Sequence, residues 1–356
     1  MAARVLTWPV LLAAACVPCL MADAPPIRGL HLLTPKPADV PLLVRFIKEA
    51  LPKEGVNTLV LEIDYNYQFT SHPEVAEPDS LSRDDVASLV AAAHEAGVRL
   101  IPQINLLGHQ SWDKTTYGLL RSHPEFDETP GKYADNKDIY CRSYCPLHPG
   151  VHKVVFDLID ELTGAFQSDA FHAGMDEVFI LADEDCPRCK GHLTSELYAG
   201  EVRAIHDHLA QTHRQMWMWG DRLIDGATSG TGKWEGSYNQ TAPAIDRIPR
   251  DIVIADWHYE AAVPGAAYFA MHGFNVVSCS WRRTDVALAQ LEQIREMRAH
   301  ANPEIAGRVQ GLLHTTWGNA GDFVRCYFGE PPANQSVADS VKCFRAAFAS
   351  LREQAK

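Results

Sequence analysis

The sequence predicts one α/β domain, a single (β/α)8 TIM barrel, from three observations. Short apolar runs alternate with amphipathic stretches almost to the end of the chain, which is the pattern of repeated βα units around a parallel sheet. The apolar runs number eight, the strand number of this barrel. The 356 residues leave room for a barrel of about 250 residues with inserted loops.

The predicted elements follow one another in regular order. The strands cover 27–33, 58–65, 99–105, 170–174, 215–220, 251–256, 275–279 and 309–314. Apolar residues at helical spacing predict helices over 39–51, 84–96, 152–166, 195–211, 286–300 and 336–353. Ser82 and Asp85 form a predicted capping box at the second helix. The connection 106–150 is too long for an ordinary βα loop, which indicates a functional wall or lid. Since no linker divides the chain, we expect one domain over 25–356.

The chain begins with a segment typical of exported proteins. Arg4 precedes a mostly apolar run over 5–21, and the small residue Ala22 follows it. This order predicts a signal peptide over 1–22 and a secreted or periplasmic protein. Lipoprotein anchoring at Cys16 and an uncleaved anchor are alternatives. No later segment approaches the roughly 18 apolar residues of a membrane span.

The charge of the chain limits its partners. The formal net charge is -13 and the pI is near 5.6, so the protein would repel phosphate backbones and anionic lipid surfaces. We expect neither nucleic acid nor a membrane surface as partner. A neutral or cationic ligand is easier to accommodate.

The cysteines outside the predicted leader could form disulfide bonds, bind a metal or stay unpaired. They are seven in number, at positions 141, 145, 186, 189, 279, 326 and 343. In an oxidising compartment, Cys141 could pair with Cys145 and Cys186 with Cys189. The Cys-x2-Cys spacing of Cys186 and Cys189 also suits thiolate ligation of zinc, and unpaired thiols are the third alternative.

Polar and aromatic residues mark the predicted strand ends, where barrel enzymes keep their catalytic groups. The first strand carries Arg28 and His31, and the residues of the other strands are Glu62, Asp64, Tyr65, Asn105, His109, Asp176, Glu177, Trp219, Asp221, Asp256, Trp257, His258, Tyr259, Trp281, Thr316, Trp317 and Asn319. Four of them are tryptophans at the last four strands, and flat apolar rings suit the faces of a sugar. The alternative is that these rings only fill the top layer of the barrel.

Asp176 and Glu177 are the candidate catalytic pair. Adjacent carboxylates that leave a buried strand point in different directions, so they can take different roles on one substrate. A carboxyl against apolar rings keeps its proton while a better-solvated neighbour stays ionised, which is the division that glycosidic cleavage needs. The alternative is a solvated helix start, since acidic residues favour helix N-termini.

These segments resemble glycoside hydrolase family 20, the β-N-acetylhexosaminidases. The run His172-x-Gly-x-Asp176-Glu177 resembles the signature at the family's fourth strand, and 101–109 resembles its third-strand segment ending in Gly-His. Arg28 matches a first-strand arginine, and 219–221 matches the fifth-strand Trp-x-acid. The compact form, with Trp-x-Tyr at 257–259, is similar to the hexosaminidase D branch.

The resemblance implies an exo-acting retaining hydrolase that releases terminal N-acetylhexosamine from a glycan by substrate-assisted catalysis. Glu177 would be the general acid and base, and Asp176 would orient the acetamido group. Arg28 would hold sugar hydroxyls, while Tyr259, or Tyr238 after it, would bond the acetamido carbonyl. The other implied binding residues are His109, His172, Trp219, Asp221, Trp257, Trp281 and Trp317. The resemblance implies no cofactor and no catalytic metal.

Two departures and two rival functions remain. Met175 stands where the family motif often has glycine, which we expect to alter only packing, and Asn319 replaces an acid that commonly binds sugar hydroxyls. One rival is a catalytically inactive glycan-binding barrel, because fold does not guarantee activity. The other is a metal-dependent barrel hydrolase. Its ligands would come from His31, His109, His172, Asp176 and His258.

Overall fold

The computed structural model describes residues 27–354 and contains a closed barrel of eight parallel strands. The barrel strands, numbered in chain order, are β1 Ile27–Leu33, β2 Thr58–Glu62, β3 Arg99–Leu106, β4 Ala170–Gly174, β5 Gln215–Trp219, β6 Val253–Trp257, β7 Asn275–Ser280 and β8 Val309–His314. Each strand pairs with the next along the chain, and β8 pairs with β1 to close the ring. The predicted TIM barrel is confirmed.

Helices connect the strands. They are α1 Val40–Glu49, α2 Leu51–Glu54, α3 Arg83–Ala96, α4 Gly118–Ser122, α5 Val151–Ala165, α6 Thr194–Ala210, α7 Gly226–Ser229, α8 Gly265–Met271, α9 Thr284–His300, α10 Pro303–Arg308, α11 Ala320–Tyr327 and α12 Gln335–Gln354. The capping box at α3 is confirmed, because Asp85 N donates to Ser82 Oγ at 3.1 Å and Ser82 N donates to Asp85 Oδ2 at 2.9 Å. None of the helices within 27–354 is long and apolar enough to cross a membrane.

Two apolar clusters hold the barrel together. The larger one joins the outer faces of the strands to the helices and includes Leu59, Phe46 and Phe344. The smaller one fills the inside of the barrel with alternate residues of the strands, among them Trp217 and Trp219, both fully buried. The barrel is therefore packed inside, and its functional face is the carboxyl-terminal end of the strands.

The predicted long connection is present and forms a wall above the barrel. Residues 107–150 join β3 to α5 and contain a small hairpin, Ser111–Trp112 paired with Thr115–Thr116, followed by α4. The predicted signal peptide, 1–22, and the predicted domain limits, 25 and 356, lie outside the described residues and stay predictions.

Candidate active site

A strained turn after β4 brings Asp176 and Glu177 to the mouth of the barrel. Gly174, Met175 and Glu177 all have positive φ angles, of 67°, 73° and 47°. At Gly174 a Cβ atom would lie 2.4 Å from Asn105 Oδ1, so this position admits no side chain. Met175 takes a backbone conformation that costs a residue with a side chain of order 1 kcal/mol or more. The expectation that Met175 alters only packing is therefore wrong, since it also strains the backbone.

His109 contacts both carboxylates. Its Nε2 lies 3.1 Å from Glu177 Oε2 and 3.4 Å from Asp176 Oδ2. Burial disfavours the imidazolium, but the Asp176 carboxylate, together with the nearby Cys141 and Glu177, outweighs burial and holds the pKa of His109 well above its ordinary value. His109 is therefore a cation that brings the two acids together.

One carboxylate oxygen of Asp176 is available to a ligand. Oδ2 faces His109, whereas Oδ1 is buried and has no hydrogen-bond partner among residues 27–354. A buried polar atom without a hydrogen bond destabilises the fold, so a ligand that donates a hydrogen bond to Asp176 Oδ1 would be favoured. The geometry of Asp176 Oδ1 suits a ligand N–H or O–H group.

Asp221 supports the turn from behind. Its Oδ2 accepts a hydrogen bond from the backbone N–H of Glu177 at 3.0 Å and one from Arg222 Nε at 2.6 Å. Burial raises the pKa of Asp221 to about 6 despite the attraction of Arg222. Asp221 does not line the cavity, so the structure makes this predicted binding residue a positioning residue for Glu177.

A cavity of about 650 Å³ opens above the carboxylate pair. Its lining combines six carboxylates with a ring of aromatic side chains. The lining residues are Leu33, Glu62, Asp64, Asn105, His109, Trp112, Tyr117, Tyr140, Asp176, Glu177, Trp234, Glu235, Trp257, Tyr259, Glu260, Trp281, Trp317 and Gly318. This volume lies within the range of small-molecule sites, about 300–1,000 Å³.

One wall of the cavity is aromatic. Trp257 stacks on Tyr259 with ring centroids 5.3 Å apart, and Trp281 meets Tyr259 edge-on at 5.5 Å. Trp317 Nε1 donates to the Tyr259 hydroxyl at 3.0 Å, and Thr315 Oγ1 lies 2.9 Å from the same hydroxyl. The predicted residues Trp257, Tyr259, Trp281 and Trp317 therefore share one surface, and Trp317 orients the Tyr259 hydroxyl.

The opposite wall is acidic and follows β2 and β3. Gln103 Nε2 donates to Glu62 Oε2 at 2.7 Å, and His31 Nε2 lies 3.2 Å from the same oxygen. Burial and the neighbouring Glu62 raise the pKa of Asp64 well above its usual range. The strand-end pattern marks Glu62, Asp64 and Asn105, but the resemblance assigns them no role.

Several other lining residues come from long connections and were not predicted. Trp112 and Tyr140 belong to the wall 107–150, and Trp234 lies in the connection after β5, where Tyr140 and Trp234 pack with ring centroids 4.6 Å apart. Burial and the nearby Glu177 carboxylate raise the pKa of Tyr140. The length of 106–150 was the only signal in the sequence for this wall.

Glu235 also reaches the cavity from the connection after β5. His258 holds it, with Nδ1 2.8 Å from Glu235 Oε2 and Nε2 3.1 Å from Asp256 Oδ1. Burial disfavours the cation, but the two carboxylates raise the pKa of His258 to about 10. His258 is therefore an imidazolium between two acids, not a free binding group.

Arg28 lies at the wrong end of the barrel for the role that the resemblance implies. It is the second residue of β1, and its Nε donates to the carbonyl of Gly55, just before β2 begins, at 2.6 Å. Catalytic groups collect at the opposite, carboxyl-terminal end, five residues further along β1 at Leu33. Arg28 therefore cannot hold a sugar in this cavity.

His172 and Trp219 lie beneath the cavity. Both are fully buried, and their rings meet with centroids 4.5 Å apart. The backbone N–H of Gly174 donates to His172 Nδ1 at 3.1 Å, and burial, together with His31, lowers the pKa of His172 well below its ordinary value. They support the floor from inside the barrel, since neither is among the lining residues.

The side chains of Tyr238 and Asn319 make hydrogen bonds to nearby backbone groups and not to the cavity. Tyr238, the second candidate for the acetamido carbonyl, is largely exposed. Its hydroxyl donates to the carbonyl oxygens of Thr231 at 2.7 Å and Gly226 at 3.1 Å. Asn319 caps α11, because Asp322 N donates to its Oδ1 at 3.2 Å. Neither residue lines the cavity.

The ligands proposed for a catalytic metal do not converge. His109 and Asp176 approach each other and Glu177, with candidate ligand atoms within 4.8 Å. His31 is paired with Glu62, His258 lies between two carboxylates, and His172 accepts from the Gly174 backbone. Only two of the five candidates therefore share a site in the part of the chain that the structure describes.

A parallel barrel that carries adjacent carboxylates and an aromatic wall at its strand ends defines the class of glycoside hydrolases. The comparison with protein families identifies one family within that class. The chain belongs to glycosyl hydrolase family 20, whose catalytic domain matches residues 61–304. The finer likeness to the hexosaminidase D branch stays a prediction.

Individual relatives agree with this family. A Beta-hexosaminidase of Vibrio furnissii is 24% identical over 213 residues, which cover 59% of this chain and 31% of that protein. Two solved structures have a TM-score of 0.61 and cover 92% of this chain. They are the chitobiase of Flavobacterium johnsoniae, 16% identical with 52% of its chain covered, and the exo beta-N-acetylglucosaminidase of Vibrio harveyi with N-acetylglucosamine, 17% identical with 55% covered. The chain spans less than half the length of the curated relatives it matches.

Proposed function

We propose that the protein is an exo-acting, retaining β-N-acetylhexosaminidase that uses the acetamido group of its own substrate as nucleophile. The observation that carries the proposal is the buried Asp176 Oδ1 beside Glu177, which has no partner within residues 27–354. An acetamido N–H would satisfy this atom, and family membership supports the choice of sugar. The exported location that the leader predicts is part of the same proposal.

In the first step, the acetamido oxygen of the bound sugar attacks the anomeric carbon. The bond between this carbon and the glycosidic oxygen breaks, and Glu177 gives its proton to the departing oxygen. An oxazolinium ion forms, and Asp176 accepts a hydrogen bond from its N–H and stabilises the positive charge. Such stabilisation is strongest in a site that is closed to water, and the side chain of Asp176 is buried.

In the second step, a water molecule attacks the anomeric carbon from the side that the leaving group vacated. Glu177 accepts the proton of the water, and the oxazolinium ring opens to regenerate the acetamido group. The anomeric configuration is retained because two inversions occur. His109, in contact with both acids, keeps Asp176 and Glu177 in place through the cycle.

The composition of the cavity walls favours a neutral or cationic sugar as the ligand. Trp257, Trp281 and Trp317 offer flat apolar faces, and Tyr259 can donate its hydroxyl proton to a carbonyl group. Six carboxylates line the cavity, and no lysine or arginine of residues 27–354 is among the lining residues. An anionic sugar would be repelled at this site.

The test measures release of p-nitrophenol from the β-N-acetylglucosaminide, the β-N-acetylgalactosaminide and the β-glucoside. We expect turnover of acetamido sugars only, and a loss of about 10²-fold or more in kcat for Asp176→Asn and Glu177→Gln. Asp207→Asn, an exposed acid on α6, is the matched control and should keep full activity. Equal turnover of the β-glucoside would contradict the mechanism.

The two rival functions predict different results. A glycan-binding barrel would bind N-acetylhexosamine glycans without cleaving any of the three substrates. A catalytic metal would make activity fall on brief exposure to a chelator while the melting temperature stays unchanged, and we expect no such loss.

A further inference from the structure

Four buried potential metal ligands meet away from the cavity. They are Glu128, Cys145, Cys186 and Cys189, each no more than 1% exposed. Their ligand atoms all lie within 4.8 Å of one another. Glu128 and Cys145 come from the connection between β3 and α5, whereas Cys186 and Cys189 come from the connection between β4 and α6. Neither the proposed mechanism nor the family resemblance uses this cluster.

The sulfur spacing fits coordination of a shared ion. Cys145 Sγ lies 3.4 Å from Cys189 Sγ and 3.5 Å from Cys186 Sγ. A disulfide bond is about 2.05 Å long. Thiolate sulfurs at about 2.3 Å from a tetrahedral zinc ion would be about 3.8 Å apart. The observed distances are close to that tetrahedral edge, and Cys145 meets both cysteines equally, which a single disulfide would not require.

The carboxylate of Glu128 provides a second observation in favour of a cation site. Its Oε1 accepts a hydrogen bond from Asp183 N at 3.2 Å, but its Oε2 is buried and has no hydrogen-bond partner within residues 27–354. An uncompensated buried carboxylate oxygen is costly unless it is paired or bound to a metal. The three sulfurs next to it are acceptors or weak donors, so a cation is the partner that satisfies all four groups.

The turn that carries Cys186 and Cys189 is shaped for thiolates. The backbone N–H of Cys189 points at Cys186 Sγ at 3.3 Å, and Pro187 lies between them. Lys190 N donates to the Cys186 carbonyl at 3.2 Å, which closes the turn.

We propose that Glu128, Cys145, Cys186 and Cys189 bind one structural zinc ion. Three thiolates and one carboxylate form a closed tetrahedral set without a free position, which is the arrangement of structural and not of catalytic zinc. The ion ties the connection after β3 to the connection after β4. Tyr140 of the cavity wall belongs to the first connection and Glu177 to the turn that begins the second, so the site fixes the wall relative to the general acid.

The first test is metal content of the purified full-length protein after dialysis, by elemental mass spectrometry. We expect about one zinc per chain in the wild type and in Cys343→Ser, the matched control with a buried thiol on α12 outside the cluster. Cys186→Ser and Cys189→Ser should lose it. Asp176→Asn should keep it, so that failure of this site and failure of the proposed catalysis can be told apart.

A second variant guards against simple misfolding. Glu128→Gln keeps the shape of the side chain and should leave the fold intact, yet weaken metal binding in a competition with a chromogenic chelator by about tenfold or more. Replacement of zinc by cobalt should give a thiolate-to-metal charge-transfer band in the wild type. The inference is overturned if the wild type holds no zinc and denatured protein shows two thiols fewer than its cysteines, which means a disulfide. It is equally overturned if every thiol is free and no metal is bound.

Discussion

We expect Glu62 to hold sugar hydroxyls at the end of β2, two strands away from the catalytic turn that follows β4. Gln103 and His31 fix its Oε2, and the side chain lines the cavity. Because hydrogen bonds to a charged acceptor are worth about 1.5–3 kcal/mol, we expect Glu62→Gln to raise KM about tenfold or more. Steady-state kinetics with the acetamido substrates measures this change.

Arg28→Met is the matched control for that experiment. The variant keeps the aliphatic stem but loses the hydrogen bond to the Gly55 carbonyl at the opposite end of the barrel. We expect kcat and KM to stay within about twofold of wild type and the free energy of unfolding to fall by about 1 kcal/mol. A large rise in KM for Arg28→Met would show that Arg28 reaches the substrate after all.

We expect His258 to make the stability of the protein depend on pH. Its folded pKa of about 10 lies above the ordinary value of 6.5, so the imidazolium is stabilised by folding. The contribution is complete below pH 6.5 and is lost as pH rises towards 10. The free energy of unfolding of His258→Gln should therefore differ from wild type most at about pH 6 and least at about pH 10, in denaturant titrations.

At the scale of elements, close packing between the β3 and β4 connections sets the position of Asp176. A Cβ atom on Gly108 would lie 2.9 Å from the Asp176 carbonyl oxygen and 3.1 Å from Val178 Cγ2. Gly108→Ala should therefore displace the catalytic turn and lower kcat by about 10- to 100-fold. Gly232→Ala is the control, because a Cβ atom there meets nothing within 4 Å. An unchanged kcat in Gly108→Ala would contradict the idea that this packing positions Asp176 for catalysis.

The periodic elements could be predicted from the sequence, and the irregular ones could not. All eight strands were predicted because each is a short apolar run between turns, and the limits of β1, β4 and β8 agree with the prediction. The helix α8 was missed because its seven residues are too few to reveal a helical period.

The site was predictable only where it follows the strands. Glu177 and the aromatic wall stand at strand ends, so strand position identifies them. Tyr140 and Glu235 reach the cavity from connections without periodicity, and only tertiary structure brings them there. Arg28 was misassigned because the match considered residue type alone, although the predicted limits of β1, 27–33, already place Arg28 near the start of the strand.

At the scale of the whole molecule, we expect negative charge to influence which substrates are cleaved. The chain carries a formal net charge of -13, and the cavity adds carboxylates such as Glu235 and Glu260 at its opening. We expect substrates with a carboxylate on the neighbouring sugar to be cleaved more slowly than neutral ones. The difference should shrink between about 0.01 M and 0.15 M salt, as the Debye length falls from about 30 Å to about 8 Å. Glu260→Gln should reduce it, and a preference independent of both salt and Glu260 would contradict this explanation.

The central claim is that the substrate's acetamido oxygen, oriented by Asp176, is the nucleophile. The most direct test compares kcat/KM for the p-nitrophenyl β-glycosides of N-acetylglucosamine and of its N-trifluoroacetyl analogue. Fluorine withdraws electrons from the carbonyl oxygen and leaves the rest of the sugar unchanged. The proposed mechanism predicts a loss on the order of 10²-fold or more in kcat/KM for the fluorinated substrate. Equal kcat/KM values for the two substrates would contradict it and would mean that a group of the protein, or water, attacks the anomeric carbon.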